Sequence, residues 1–193
     1  MKTRYGIWGL VVIVAAVGAV ADSYEIDPVH ASLIFRIKHL GVANFYGMFT
    51  DMAGTYRYDP EKPQENHVDV TVKTASISTA NKARDEHLRG ADFFDVEKHP
   101  EMRFVSREWK KTGEHTYDVI GDLTLLGVTK PVTARVEFSG EGEGMQGEYR
   151  TGFEATFDIR RSEFGMTKYL PILLGDEVRI ILSVEGIRHA GEP

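Results

Sequence analysis

The residues best suited to chemistry are His30, His39, His87 and His99, four of seven histidines, with Asp27, Asp85 and Glu97 as acidic companions. Such a set could hold a transition metal or supply a general base, because a histidine beside a carboxylate titrates near neutrality and can move protons. The spacing argues against both. No H-x-x-x-H or H-E-x-x-H occurs and the chain has no cysteine, so the usual zinc ligand patterns are missing. His30 and His39 stand an odd number of positions apart and would face opposite sides of one strand. In Arg84-Asp85-Glu86-His87, neighbouring positions on a helix point away from one another. These letters read as the solvated face of a short helix, with Asp85 and Arg89 outward and Leu88 inward. Nucleophilic and phosphate-binding patterns are missing too: there is no G-x-S-x-G, no P-loop and no G-x-G-x-x-G. The expectation is a protein with no resident metal and no catalytic residue.

The elements that would position these side chains are mostly strands. Leu33, Phe35 and Ile37 alternate with Arg36 and Lys38, and Val68, Val70 and Val72 alternate with Asp69, Thr71 and Lys73. The same period of two runs through 132–139, 153–160 and 178–185, and less regularly through 49–58, 102–109 and 117–125. With a short strand near 24–26 the expected count is eight or nine. One apolar face per strand marks an antiparallel sheet with one wet side, which can close as a barrel or stack as a sandwich. Turn chemistry falls at Asp59-Pro60, 111–113 and Leu126-Gly127, and residues 140–147 read as a glycine-rich hairpin tip. The only helical signal is 81–89, stopped by Gly90. It is too short to persist alone and must dock through Ala83, Leu88, Phe93 and Phe94.

The first residues read as a secretory signal. Lys2 and Arg4 precede an apolar run over 7–17 and a small-x-small Ala19-Val20-Ala21. The alternative, an uncleaved anchor, is disfavoured because the run falls short of the roughly 20 residues a span needs. Removing 21 of 193 residues leaves 172, enough for one domain, 22–193, with its own core. The remaining 21 basic and 29 acidic residues give a formal charge of −8, which disfavours nucleic acid and anionic lipid surfaces as partners.

Several blocks together carry a resemblance. Ile26-Asp27-Pro28-Val29-His30 and 35–41 open it, and 76–79, 84–90 and Asp92-Phe93-Phe94-Asp95 continue it. His99-Pro100-Glu101-Met102-Arg103-Phe104, 121–124, 127–131, 161–166 and 175–178 complete it. In this order the blocks resemble the YceI-like family over nearly the whole mature chain. The resemblance implies a closed or nearly closed, antiparallel, eight-stranded lipocalin-like barrel with the short helix docked on it. It implies a non-catalytic periplasmic protein whose elongated apolar cavity holds a polyisoprenoid, such as a quinone tail, prenyl diphosphate or other prenyl lipid, or a similar long amphiphile, with no cofactor required. It allows a homodimer and transient contact with inner-membrane quinone-linked proteins. One departure is Leu126, where family members often carry histidine; if that histidine touches a headgroup, a less polar head is expected here.

Energetics suit such a ligand, since about 0.3 kcal/mol per heavy atom gives about 12 kcal/mol for a 40-carbon chain without any charged contact. The expected lining is Phe35, Ile37, Phe49, Leu88, Phe93, Phe94, Phe104, Leu123, Leu125, Phe153 and Phe157, with Phe164, Met166 and Leu170 at the rim. Headgroup candidates are His30, His39, Asp85 and Arg89. Two other classes stay open: an enzyme acting on a bound lipid, and a structural or stress protein whose barrel is filled by its own side chains.

Overall fold

In the computed structural model, which describes residues 22–189, eleven strands form one antiparallel sheet. They are β1 (Asp22–Ile26), β2 (Ser32–His39), β3 (Ala43–Phe49), β4 (Met52–Tyr58), β5 (His67–Lys73), β6 (Ile77–Ser78), β7 (Glu101–Lys111), β8 (Thr116–Leu125), β9 (Val128–Glu143), β10 (Tyr149–Arg160) and β11 (Leu174–Arg188). The expected signal segment, 1–21, lies outside the described residues.

The order β1-β4-β5-β7-β8-β9-β10-β11 returns on itself through a β1–β11 pairing, so eight strands close a ring. Closure leaves no free ladder edge around that ring. The other three strands extend the wall towards one end. β11 pairs with β1 around Gly186–Arg188 and with β2 over Leu174–Ser183. β1 runs into β2 across a 3-10 turn at Pro28–His30, β3 into β4 across residues 50 and 51, and β5 into β6 across a second 3-10 turn at Thr74–Ser76. The barrel is therefore eight bent strands cut into eleven segments, which reconciles the expected eight or nine with the count observed. β3 was not expected, because Gly47 interrupts its apolar face and the exposed Tyr46 and Met48 blur its polar one. Residues 140–143 belong to β9 rather than to a hairpin tip.

The clearest alternation is in β8, where Tyr117, Val119, Gly121, Leu123 and Leu125 are buried and the residues between them are not. Its hairpin to β9 is two residues, Leu126 (φ 52) and Gly127 (φ 74). Positive φ at both positions matches the strand twist. Leu126 thus serves the turn and packs with the neighbouring core.

The helix α1 spans Lys82–Arg89, with the Asn81 side chain accepting from Arg84 N at 3.0 Å. Its expected outer face is corrected. Asp85 is buried at 8 % exposure and Oδ1 accepts from Thr79 N at 2.8 Å and Thr79 Oγ1 at 2.5 Å. Arg89 reaches back to Ala75 O at 2.7 Å and Ile77 O at 2.9 Å. Both charged groups spend themselves tying the helix to the β5–β6 end of the barrel, because buried polar groups need partners. Ala83, by contrast, is exposed and does not dock.

Candidate ligand-binding cavity

Side chains from the inward faces leave a cavity inside the barrel whose volume open to water-sized atoms is about 220 Å³. Its wall is almost wholly apolar. Phe35 and Ile37 of β2, Phe49 of β3, Phe104 of β7, Leu123 and Leu125 of β8, and Phe153 and Phe157 of β10 all line it. Leu88, Phe93 and Phe94 line it from the helix and the segment after it, and Met166 lines it from the β10–β11 connection. At the roughly 30 Å³ that one water occupies in the liquid, the cavity takes on the order of seven water-sized atoms, or roughly one to two five-carbon units. A 40-carbon chain exceeds this, so it fits only if wall rings shift or part of it stays outside.

Two glycines let the wall rings lie flat. A Cβ on Gly47 would come 2.3 Å from Phe35 Cζ, and one on Gly121 would come 2.4 Å from Phe104 Cζ. Each ring crosses the neighbouring strand where no side chain stands, which holds it against the barrel wall.

One end, the floor, is filled by rings. Tyr58 lies 4.9 Å from Phe153, 5.3 Å from Phe138, 6.0 Å from Tyr117 and 6.5 Å from Trp109, centroid to centroid. The hydroxyls of Tyr58 and Tyr117 are 3.0 Å apart, and Tyr56 Oη bonds Thr151 Oγ1 at 2.5 Å. Burial pushes the Tyr24 hydroxyl up to about 12 and raises Tyr56 and Tyr58 further, so the floor is uncharged at neutral pH. On the outer face of the wall beside it sits an ion cluster, in which Arg150 contacts Asp27 at 2.8 Å, Glu148 at 2.7 Å and Glu185 at 2.9 Å. The hydrogen bond from His30, then the one from Arg150, hold the Asp27 carboxyl well below the usual carboxylate range.

The other end, the lid, is α1, the turns after it and the β10–β11 connection. Phe93 is 4 % exposed and packs between His87 at 5.1 Å and Tyr169 at 6.1 Å, while Phe94 meets Phe49 edge-on at 5.3 Å inside the cavity. Asp92 joins the two halves, 2.9 Å from Lys168 and 3.7 Å from His87. Arg161, at 2 % exposure, donates to Gly175 O, Met166 O and Lys168 O at 2.8, 3.1 and 2.9 Å. This buried guanidinium shapes the loop that presents Met166.

The expected headgroup set is not brought together. His30 lies on the floor side with Asp27, exposed His39 ends β2 and does not line the cavity, and Asp85 and Arg89 serve the backbone. Two rim candidates are also displaced. Phe164 is packed at 2 % exposure among Ile37, Leu123, Leu125, Ile159 and Val178, and half-buried Leu170 does not line the cavity. Leu126 is likewise outside the lining, so its identity carries no information on the head. Among the described residues, no group of three or more His, Asp or Glu is placed to hold a metal ion. Sequence reasoning missed the floor rings Tyr56, Tyr58, Trp109 and Tyr117, and missed Phe45 and Arg84, which line the lid end.

A family model described as a YceI-like domain matches residues 24–186. A UPF0312 protein of Photorhabdus laumondii is 44% identical over 190 residues, covering 97% of this chain and 98% of its own. Among solved structures, a Campylobacter jejuni YCEI protein is 32% identical with a TM-score of 0.68, covering 79% of this chain and 90% of its own. A domain from Saccharophagus degradans titled as polyisoprenoid-binding, and as implicated in plant cell wall breakdown, shares the fold. Its TM-score is 0.67 at 13% identity, covering 86% of this chain and 98% of its own.

Proposed function

The chain belongs to the YceI-like family, and on that premise we propose that it is a non-catalytic binding protein that holds a long polyisoprenoid, a quinone tail or similar amphiphile in its barrel. One observation carries this reading: a cavity walled by apolar side chains runs from the lid residues Leu88 and Phe93 to Ile26 and Trp109 at the floor. Apolar burial of about 25 cal/mol per Å² needs no polar partner along such a wall. The binding described for the Saccharophagus degradans domain agrees with it. The partly exposed rings Phe35, Phe94, Phe104 and Phe157 are the surface a chain would cover.

The proposed place of action is the periplasm, reached through the 1–21 leader. Fractionation of expressing cells tests that, with the protein expected in the osmotic-shock fluid. For the ligand, purified protein is extracted with organic solvent and the extract analysed by mass spectrometry. A stoichiometric prenyl lipid is the expected result. An empty extract from protein that also fails to take up added prenyl lipid contradicts the reading. The self-filled alternative describes the floor but leaves the cavity above it unexplained.

A further inference from the structure

The β2–β3 hairpin and the β10–β11 connection meet beside the lid, and both present apolar side chains to solvent. The amide of Leu40 donates to Leu173 O at 2.9 Å, and Leu174 stands opposite His39 in the β2–β11 ladder. On the outside of this joint Val42 is 81 % exposed and Ile172 78 %, and Leu40 and Leu173 are exposed with them. Leu40 sits at φ 52, a turn position that asparagine or glycine fills at less cost. Leu126 takes the same conformation in the β8–β9 turn but packs with the core. Leu40 instead turns about half its surface to water.

The chemistry of this tip fits lipid better than a second protein. Residues 40–43 and 169–174 include no charged side chain. Amides of both segments are bonded locally: Val42 N donates to His39 O, Leu170 N to Thr167 O, and Leu173 N and Leu174 N to Tyr169 O. Pro171 has no N–H to satisfy. Backbone paired in this way can enter an apolar phase without stranding donors. At the base stand exposed Tyr169, with Lys168 Nζ 5.4 Å from its ring centre, and exposed Lys38. Aromatic rings and long basic side chains are the groups that settle at headgroup level. Four exposed aliphatic side chains also fall far short of the roughly 20–30 residues a side in a standard protein interface.

We propose that the two loops form one membrane-docking tip, which inserts Leu40, Val42, Ile172 and Leu173 into the surface of a lipid bilayer and sets the lid against the headgroups. This docking needs only the outer surface of the lid end and no bound chain. It is driven by apolar burial rather than by charge, in keeping with the net negative charge of the protein.

The test floats the mature chain, residues 22–193, with vesicles of phosphatidylcholine and phosphatidylethanolamine. Binding should survive about 1 M potassium chloride, which screens surface charge. Val42→Ser and Ile172→Ser should each weaken partitioning about tenfold, the effect of withdrawing one aliphatic side chain from lipid. Both sites are exposed, and an unchanged melting temperature reports an intact barrel. The chain has no cysteine, so an environment-sensitive dye attached through Ile172→Cys reads insertion directly. Its emission should shift to the blue on vesicles. The same dye attached through Met145→Cys should not shift, because Met145 is exposed in the β9–β10 turn at the opposite end of the barrel. Absence of flotation, flotation abolished by salt, or equal shifts at both labels would overturn the proposal. So would vesicle binding that both serine variants retain in full. A dimer in solution that the same variants dissociate would give the tip to a second copy and overturn it too. Lipid extraction is not involved in any of these outcomes, so failure here leaves the chain-binding reading standing.

Discussion

At the floor of the barrel, Tyr58 is surrounded by Phe138, Phe153, Tyr117 and Trp109, and each ring is packed against another ring. At the lid, Phe93 faces His87 and exposed Tyr169, and the bridge across the end is a half-exposed Lys168–Asp92 pair. Both ends are aromatic, yet they are built for different ends of the stability range. Interlocked buried rings contribute to the global free energy, whereas a few rings and a surface ion pair can separate locally without unfolding the barrel. On the proposed reading, the floor would set where a chain stops and the lid how it enters.

The largest effect is expected at the floor. Tyr58→Ala should cost about 3–5 kcal/mol in urea unfolding, as for other buried large-to-small changes. It should alter ligand release little. Asp27→Asn, on the outer wall beside the same floor, should cost about 1.5–3 kcal/mol at neutral pH by removing a charged hydrogen-bond acceptor. The sign follows from the lowered Asp27 carboxyl: its stabilisation is present above the unfolded pKa of about 4 and is lost as pH falls through the folded one. The gap between wild type and variant, measured by thermal melts across pH, should therefore narrow below about pH 4.

Phe94→Ala should cost less than about 2 kcal/mol, because that ring already faces open space, while weakening chain binding about tenfold. A stability loss as large as that of Tyr58→Ala would place Phe94 in the packed core. The smallest change in stability is expected for Lys168→Ala, under about 1 kcal/mol for an exposed pair. Stopped-flow release of a bound prenyl chain should nevertheless be faster. Unchanged release would remove the lid from the account.

Much of the barrel was legible because strands such as β8 alternate cleanly, and period two is a local signal. β3 was not, because its inward positions include Gly47, whose role is to make room for Phe35 from the next strand. Most lining phenylalanines could be read from their faces; Phe45, in the unrecognised β3, could not. The charged lid residues could not. Asp85 and Arg89 look solvated in sequence, yet a backbone turned beside them at 75–79 claims their hydrogen bonds. Arg84 carries the same kind of letter, and only the tertiary placement of Thr79 and Phe45 sets its guanidinium apart.

On the proposed reading, a bound chain lies with its tail at the floor and its head at the lid. Trp8 and Trp109 are the two tryptophans of the chain. In a Trp8→Phe variant, Trp109 at the floor is the sole indole and reports directly on what reaches it. Prenyl lipids brominated at the tail or near the head are titrated against its fluorescence. Strong quenching by the tail-brominated lipid and weak quenching by the head-brominated one are expected. Stronger quenching from the head, or equal quenching from both, contradicts that reading.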